Sequence, residues 1–329
     1  MATTIEDWDE QIAPITGALA PDDLTPFEGV PDLLRPDGRP APPLRAELRD
    51  VASWRNAWTV ASVYLLIVAN AAAALWIDSL LWWPVAVLIA GTLFGRIYIL
   101  HHEAAHAMLF RNRAVNDFTM RWVLDLPAFG SGEDTYRRVH AAHHRDEFGP
   151  REPDLGLYAR YPITRASMRR KLVRDGTGQS AWKLLKGPLL GIFSSGRRAR
   201  SARFLAGQAA VFTLFWAVSG QWWLYLVLWL LPNITVWRVI NRLRAIAEHA
   251  GMTRSDDRRR TTHHVRQGWL ARATIVPFHT GWHLAHHVDA GIPWRNLPRL
   301  HDELEAAGYL DGVTVWPNYR SLWRALAQG

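Results

Sequence analysis

The sequence predicts an all-α integral membrane protein, with four transmembrane helices in two hairpins and a helical cap outside the membrane. Three observations predict this fold: long segments without charge, a one-sided distribution of arginine, and histidine-rich motifs at or beyond the ends of the apolar segments. The 329-residue chain has a mean hydropathy of -0.09. This near-zero mean conceals the apolar segments, because strongly polar stretches alternate with them.

Charged residues are absent from three long stretches, 57–77, 79–95 and 204–237. Roughly 20 apolar residues are needed to cross about 30 Å of membrane hydrocarbon. The polar run Ser219-Gly220-Gln221 divides the third stretch in two. We therefore predict transmembrane helices at about residues 57–77, 80–100, 204–219 and 222–240.

Tryptophan pairs mark the tips of both predicted hairpins, at Trp82-Trp83 and Trp222-Trp223. Tryptophan concentrates at membrane interfaces. The pairs therefore argue against the alternative in which the apolar segments are buried core helices of a soluble all-α protein.

Arginine lies on the side opposite these tips, where it flanks every predicted span. The flanking arginines are Arg45, Arg49, Arg55, Arg96, Arg111, Arg113, Arg197, Arg198, Arg200, Arg203, Arg238, Arg242 and Arg244. Positive charge favours the cytoplasmic side, so both termini and a cap formed by residues 101–203 and 241–329 are expected in the cytoplasm. The net charge of +8 largely reflects this bias. Membrane lipids are therefore the expected partner, and nucleic acid is not.

Residues 1–44 are rich in proline and acidic residues and contain no apolar run, so we expect a flexible cytoplasmic arm, either free or packed on the cap or the membrane surface, and no secretion signal. Residues 45–329 then form the membrane domain. The chain has no cysteine, which excludes disulfides, thiolate metal sites and a thiol nucleophile. Arginine far outnumbers lysine, a bias that suggests a GC-rich bacterial genome and a plasma-membrane location.

Eight of the fourteen histidines fall into three short motifs, HEAAH, HAAHH and HLAHH. Neutral imidazole is the commonest metal ligand in proteins, and residues three and four apart share one face of a helix. Eight imidazoles exceed the roughly four to six positions of one ion. The pattern therefore predicts two ions in one cavity, bound by His102, His106, His140, His143, His144, His283, His286 and His287.

Two predicted spans continue into histidines. A helix from Leu80 to His106 is about 40 Å long at roughly 1.5 Å per residue, which carries HEAAH past the membrane. The fourth span continues beyond Pro232, a predicted kink, to His249, and Gly251 then supplies a stop. His249 is thus a ninth candidate ligand, although a histidine that only stabilises the helix end is the alternative.

Ligand imidazoles need an acceptor for their second ring N–H. We expect Glu103, Asp154, Glu248 and His279 to support the ligands in this way, with Asp154 and Glu248 favoured over ordinary surface charge. Asp146 and Glu152 follow the second motif and are further candidates. His101 is expected to be structural or supporting, whereas His263, His264 and His301 lie in polar stretches and are expected to be solvated or capping.

Other classes of metalloprotein could also explain some of these motifs. HEAAH is also the zinc-metalloprotease signature, with Glu103 as general base, but a protease leaves HAAHH and HLAHH unexplained. A haem protein needs far fewer histidines. A passive metal transporter or store usually places its ligands inside the spans.

The chain resembles the membrane fatty-acid desaturase superfamily from Ala57 to His301. The resemblance rests on HEAAH followed by MLFRNRAVND, YRRVHAAHH followed by EPDL, RAIAEHAG, and GWHLAHH followed by IPWRNLPRLH. It implies four helices under a cytoplasmic cap that holds two non-haem irons, with O2 as co-substrate and a lipid or fatty acyl substrate. The implied ligands are His102, His106, His140, His143, His144, His249, His283, His286 and His287.

The resemblance leaves the reaction outcome open. Desaturation of an acyl chain is favoured, and hydroxylation or ketolation of another lipid-like substrate, such as a carotenoid, is the alternative, because those enzymes have similar motifs. The chain contains no flavin, haem or iron–sulfur motif, so an external donor such as a ferredoxin with its reductase must supply electrons. The basic residues 169–171 and 258–260 are expected either to dock this donor or to contact lipid headgroups. Residues 181–194 are expected to form an interfacial or re-entrant segment, or else to pack beneath the cap.

Overall fold

The computed structural model describes residues 5–328 and is almost entirely α-helical. The first nine helices are α1 (Ile5–Ile12), α2 (Pro42–Leu48), α3 (Ser53–Ile77), α4 (Trp82–Ala105), α5 (Arg113–Phe118), α6 (Thr135–Arg145), α7 (Leu155–Tyr158), α8 (Arg165–Gly176) and α9 (Gln179–Leu190). The others are α10 (Arg198–Ser219), α11 (Trp223–Tyr225), α12 (Leu231–Ile234), α13 (Val236–His249), α14 (Trp269–Thr274), α15 (His283–Val288), α16 (Leu297–Ala306) and α17 (Tyr319–Leu326). Two short strands, β1 (His264–Val265) and β2 (Val315–Trp316), pair in parallel.

The described chain divides into two compact units. The membrane unit comprises residues 52–134 and 169–241, and the histidine unit comprises residues 5–51, 135–168 and 242–328.

Four helical segments are long and apolar enough to cross a membrane, as the sequence predicts. They are Ser53–Ile77, Trp82–Ala105, Arg198–Ser219 and Trp223–His249, with mean hydropathies of 2.1, 1.7, 1.3 and 1.5. The segments differ from the expected spans at their ends because the helices continue through charged flanks. Arginine and glutamate are good helix formers, so a loss of apolar character does not end a helix. The chain is therefore an all-α integral membrane protein.

Both hairpin turns use a left-handed residue to end the first helix. Asp78 ends α3 at φ 40°, and Gly220 ends α10 at φ 70°. Gly220 has no Cβ and adopts this conformation at little cost. The turns place α3 against α4 and α10 against α11, as the hairpin prediction requires.

The fourth membrane segment is irregular near Pro232, where the sequence predicts a kink. A π-helical stretch, Leu226–Leu230, precedes α12, and Thr235 separates α12 from α13. Proline has no N–H, and its ring collides with the carbonyl one turn earlier. The helix therefore widens before Pro232, and α13 begins anew and ends at His249, with Gly251 at φ 81°.

The N-terminal arm and the adjoining helix α2 make packed contacts within the histidine unit. Leu34, Leu44 and Leu48 are buried in a core with Leu284 and Val288 of α15. Polar contacts hold the remainder of this segment in place. The Trp8 indole N–H donates to the Phe148 carbonyl at 2.8 Å, and Asp9 pairs with Arg254 at 2.9 Å. Arg45 of α2 pairs with Asp289 at 2.5 Å. The composition hides this because the few leucines that anchor the arm are widely spaced.

The predicted segment at 181–194 contains helix α9, whose Trp182, Leu184 and Leu190 are exposed, as is Phe193. Exposed apolar residues on an amphipathic helix suit a membrane interface. The helix is confirmed, and its interfacial position stays a prediction.

Close packing in the membrane unit depends on Gly91 of α4. A Cβ at this position would lie 2.2 Å from Cγ1 of Val236. We expect Gly91→Ala to lower the unfolding temperature in detergent, because the methyl group forces the helices apart at a cost on the order of 1–3 kcal/mol. Leu88→Ala is the control, since Leu88 is 56% exposed on the same helix. Equal unfolding temperatures for the two variants would refute this view of the contact.

Candidate metal centre

Two short helices of the histidine unit carry the second and third motifs. Helix α6 presents His140, His143 and His144, and α15 presents His283, His286 and His287. His249 is the last residue of α13. Six of these seven side chains are buried, and His144 is half-buried. The spacing of each motif thus directs its imidazoles to one face of a helix, as expected.

Four of these histidines form one set, in which each Nδ1 faces an acceptor. His143 Nδ1 lies 2.9 Å from Glu152 Oε2, and His249 Nδ1 donates to the Thr261 carbonyl at 2.9 Å. His283 Nδ1 lies 3.6 Å from Glu248, and His287 Nδ1 is in close contact with a carboxylate oxygen of Glu147. A carbonyl or carboxylate only accepts hydrogen bonds, so the contacts of His143 and His249 place the proton on Nδ1 of these two rings. The Nε2 atoms then remain as ligand atoms.

The ligand atoms of this set converge. His249 Nε2 and His283 Nε2 are 3.1 Å apart. Ligand atoms of His143, His249, His287 and Glu147 all lie within 4.8 Å of one another. Two nitrogens bound at about 2.1 Å and roughly 90° to one ion are about 3.0 Å apart. The observed separation therefore fits two ligands of one metal ion.

A second set has the same geometry. His144 Nε2 lies 3.0 Å from His140 Nε2 and 3.1 Å from His286 Nε2. The ring centroids of His144 and His287 are only 4.4 Å apart, so the second set adjoins the first. Two adjacent groups of converging nitrogens suit two neighbouring ions better than one.

The first motif ends helix α4 in the membrane unit. His102 and Glu103 are buried, and His106 follows the last helical residue. The ring centroids of His102 and His106 are 4.7 Å apart. His101, which precedes the motif, lies with its Nε2 3.5 Å from Asp125.

The other residues expected to support ligands have different places. Glu248 faces His283 and accepts from Arg244 at 2.7 Å. The backbone N–H of Asp154 donates to Glu152 at 2.9 Å, so Asp154 holds the carboxylate that holds His143. His279 lies outside both sets, stacked on Trp294 with ring centroids 6.0 Å apart.

Glu147 is the functional candidate that the sequence reasoning missed. It is buried beside His287, and Arg258 donates to its second oxygen at 2.6 Å. Its spacing could have identified it: Glu147 follows His143 by four residues and His144 by three, which is the spacing of one helix face. Asp146, the neighbouring carboxylate expected to support a ligand, instead accepts the backbone N–H of Arg151 at 2.7 Å in the following loop.

The first two arginines of the run 258–260 are engaged in the interior of the histidine unit. Arg258 is bound to buried Glu147, and Arg259 is only 3% exposed. Arg259 pairs with Asp257 at 2.6 Å and donates to the Thr25 carbonyl at 3.0 Å. These guanidinium groups neutralise interior oxygens and are not available to a partner.

Three histidines expected to be solvated are buried: His263, His264 and His301. Nε2 of His263 donates to the Ala250 carbonyl at 2.8 Å, and its Nδ1 accepts from the Trp316 indole at 3.3 Å. Both ring nitrogens are therefore used to close the end of α13. His264 and His301 stack on each other at 4.9 Å, which gives them a structural role.

The electrostatics of the site favour neutral imidazole. Burial, followed by the neighbouring His249 and His286, lowers the pKa of His283 well below its usual value. A neutral ring keeps the lone pair that a metal needs. Burial also raises the pKa of Asp154 and, with the nearby Glu152, that of Tyr158.

Converging imidazoles on a chain with four membrane-capable helices define a membrane protein with a histidine-rich candidate metal centre. The family described as fatty acid desaturase matches residues 78–319, and the chain belongs to this family. It is thus a desaturase-type oxidoreductase.

Two relatives are similar to this chain. A dihydrorhizobitoxine desaturase of Bradyrhizobium elkanii is 27% identical over 278 residues, covering 78% of this chain and 77% of the relative. A probable fatty acid desaturase of Sorghum bicolor is 28% identical over 120 residues, covering 36% of this chain and 29% of the relative. The first similarity extends over most of both proteins, and the second over a part only.

We expect Glu152→Ala to weaken metal binding about 10- to 100-fold, because His143 loses the acceptor that orients its ring. Glu152→Gln, which keeps an oxygen acceptor without charge, should lie between wild type and Glu152→Ala. Metal retained during dialysis against a chelator, measured by elemental analysis, provides the test. Glu47→Ala removes a 62%-exposed carboxylate as the control; equal retention by all three variants would contradict the prediction.

Burial lowers the pKa of His264 to about 4 from its usual 6.5. The unfolded chain then takes up a proton near pH 6.5, and the folded chain only near pH 4. We expect the free energy of unfolding to fall as pH decreases from 6.5 to 4, by on the order of 3 kcal/mol from this residue. His264→Phe should flatten the pH dependence of the unfolding temperature, whereas parallel curves would assign the slope to other groups.

Proposed function

We propose that this protein is an O2-dependent di-iron oxidase that introduces a double bond into the acyl chain of a lipid or fatty acyl substrate. The observation that carries the proposal is the pair of adjacent histidine sets, with Nε2 separations of 3.0 and 3.1 Å. In the first set, Nδ1 of His143 and of His249 each has an oxygen acceptor. Family membership supports the same reaction class.

We assign nine histidines as iron ligands. Seven belong to the two sets of the histidine unit, and the family's motif pattern adds His102 and His106. Imidazole suits ferrous iron, and no thiolate that O2 would oxidise is present. Glu147, Glu152 and Glu248 lie behind the imidazoles and offset the positive charge that two ions bring. The residues present therefore fit the metal.

Removing hydrogen from an unactivated CH2–CH2 unit needs an oxidant that no side chain provides, and iron with O2 supplies it. One O2, two electrons and two protons convert this unit to CH=CH and release two molecules of water. The chain's own residues orient the ligands: Glu147, Glu152 and the Thr261 carbonyl fix the rings of His287, His143 and His249. Burial of these groups limits the access of bulk water.

Desaturation is favoured over hydroxylation or ketolation because both relatives are named as desaturases. Their names differ in substrate, one a fatty acid and the other dihydrorhizobitoxine, so we infer a lipid or fatty acyl substrate from the family and the membrane spans. A zinc protease built on HEAAH alone gives no role to the seven histidines of the histidine unit.

We place the arginine-rich ends of the spans, both termini and the histidine unit in the cytoplasm of a bacterial plasma membrane. The excess of arginine at these ends supports this orientation. Electrons then come from a cytoplasmic one-electron carrier, such as a ferredoxin with its reductase.

Expression in a bacterial host, followed by lipid profiling and metal analysis, tests the proposal. We expect new double bonds in acyl chains, and about two irons per chain in detergent-purified protein. His143→Ala with His287→Ala is the matched inactive control, since each set member contributes one nitrogen. Oxygenated products without new double bonds would assign hydroxylation instead, and one zinc per chain without iron would favour the protease.

A further inference from the structure

A groove in the histidine unit is lined by arginine and by none of the candidate metal ligands. Its volume is about 660 Å3, and its lining residues are Arg165, Arg320, Trp323, Arg324 and Ala327. Arg165 begins α8, and the other two arginines lie on α17. Among the described residues that line the groove, none is acidic.

Helix α17 is strongly two-sided, and this directs its arginines outward. Its buried face consists of Tyr319, Leu322, Ala325 and Leu326. Arg320 and Arg324 lie four residues apart on the exposed face, where like charges repel each other. No ion pair of Arg165, Arg320 or Arg324 is found among the described residues. The groove therefore presents positive charge without a compensating carboxylate, which attracts an anionic partner.

Trp323 connects this groove to the candidate metal centre. Its indole N–H donates to the Leu243 carbonyl at 2.9 Å. Leu243 lies on α13, six residues before the ligand candidate His249, which is about 9 Å along a helix axis. A residue in the groove wall is thus hydrogen-bonded directly to the helix that ends at the centre.

We propose that this groove is the docking surface of an acidic one-electron carrier protein, and that Trp323 is its contact with the helix leading to the metal. The inference rests on the proposed function, which requires external electrons. Each docking event oxidises the carrier by one electron and reduces the metal centre by one, so two events supply one double bond. The link from Trp323 to α13 favours a carrier over a lipid headgroup, for which such a route has no use.

Stopped-flow reduction of the iron-loaded, full-length protein in nanodiscs tests the proposal, with a reduced acidic [2Fe–2S] ferredoxin as the probe. Arg320→Glu with Arg324→Glu should lower the second-order rate constant about tenfold or more at low salt, and added salt should narrow this difference. Trp323→Phe should lower the limiting rate at saturating ferredoxin and leave the half-saturating concentration unchanged. A lower limiting rate with an unchanged half-saturating concentration would show that Trp323 acts in electron transfer and not in ferredoxin binding.

Arg35→Glu with Arg299→Glu is the charge-matched control, because both side chains are more than half exposed in the same unit and outside the groove. Reduced methyl viologen, a small cation, should reduce all variants equally. If it reduces none of them, including the wild type, the proposed function fails, and the docking proposal fails with it. If it reduces all of them, the docking proposal alone is overturned by absent ferredoxin-dependent reduction or by equal rates for groove and control variants.

Varying the lipid composition of the nanodiscs tests whether an anionic lipid headgroup, and not a carrier protein, occupies the groove. A rate difference that persists in purely zwitterionic lipid supports the carrier. A difference that occurs only with anionic lipid would assign the groove to headgroups and overturn the proposal.

Discussion

The hydrogen bonds from Nδ1 of His143 and His249 to the oxygens behind them are the contacts on which the site depends. Imidazole has two nitrogens, and only the one without a proton can bind a metal. Thr261 and Glu152 settle this choice for His249 and His143. Without such acceptors the same histidines could rotate or exchange protons, and their Nε2 atoms would not converge.

This arrangement brings buried carboxylates close to buried imidazoles, and the rest of the histidine unit keeps them there. Burying an unpaired charge is costly, so each interior carboxylate has a partner: Arg258 for Glu147 and Arg244 for Glu248. The N-terminal arm completes the enclosure, since Leu44 and Leu48 pack against the helix that carries the third motif. The arm, these carboxylates and the second and third motifs are therefore parts of one structural unit.

The sequence predicted what depends on local periodicity. Four apolar segments gave the membrane helices, and the continuation of α13 to His249 followed from an uninterrupted pattern before Gly251. The sequence did not predict contacts between residues that are far apart along the chain. Thr261 contributes a backbone carbonyl, which any residue type possesses, and Glu147 looked like one charge among several. Arg258 and Arg259 sit in a polar run whose composition is that of a solvated surface, although folding buries both against oxygens.

The packed arm has a consequence for how the protein is made. Residues near both ends of the chain meet in this unit, as in the bond from Leu19 to Gly251 and the pair of Arg45 with Asp289. Contacts between segments so far apart in the sequence form late, because a long loop must first close. Because the third motif follows all four membrane helices in the sequence, those helices leave the ribosome before the histidine unit can close.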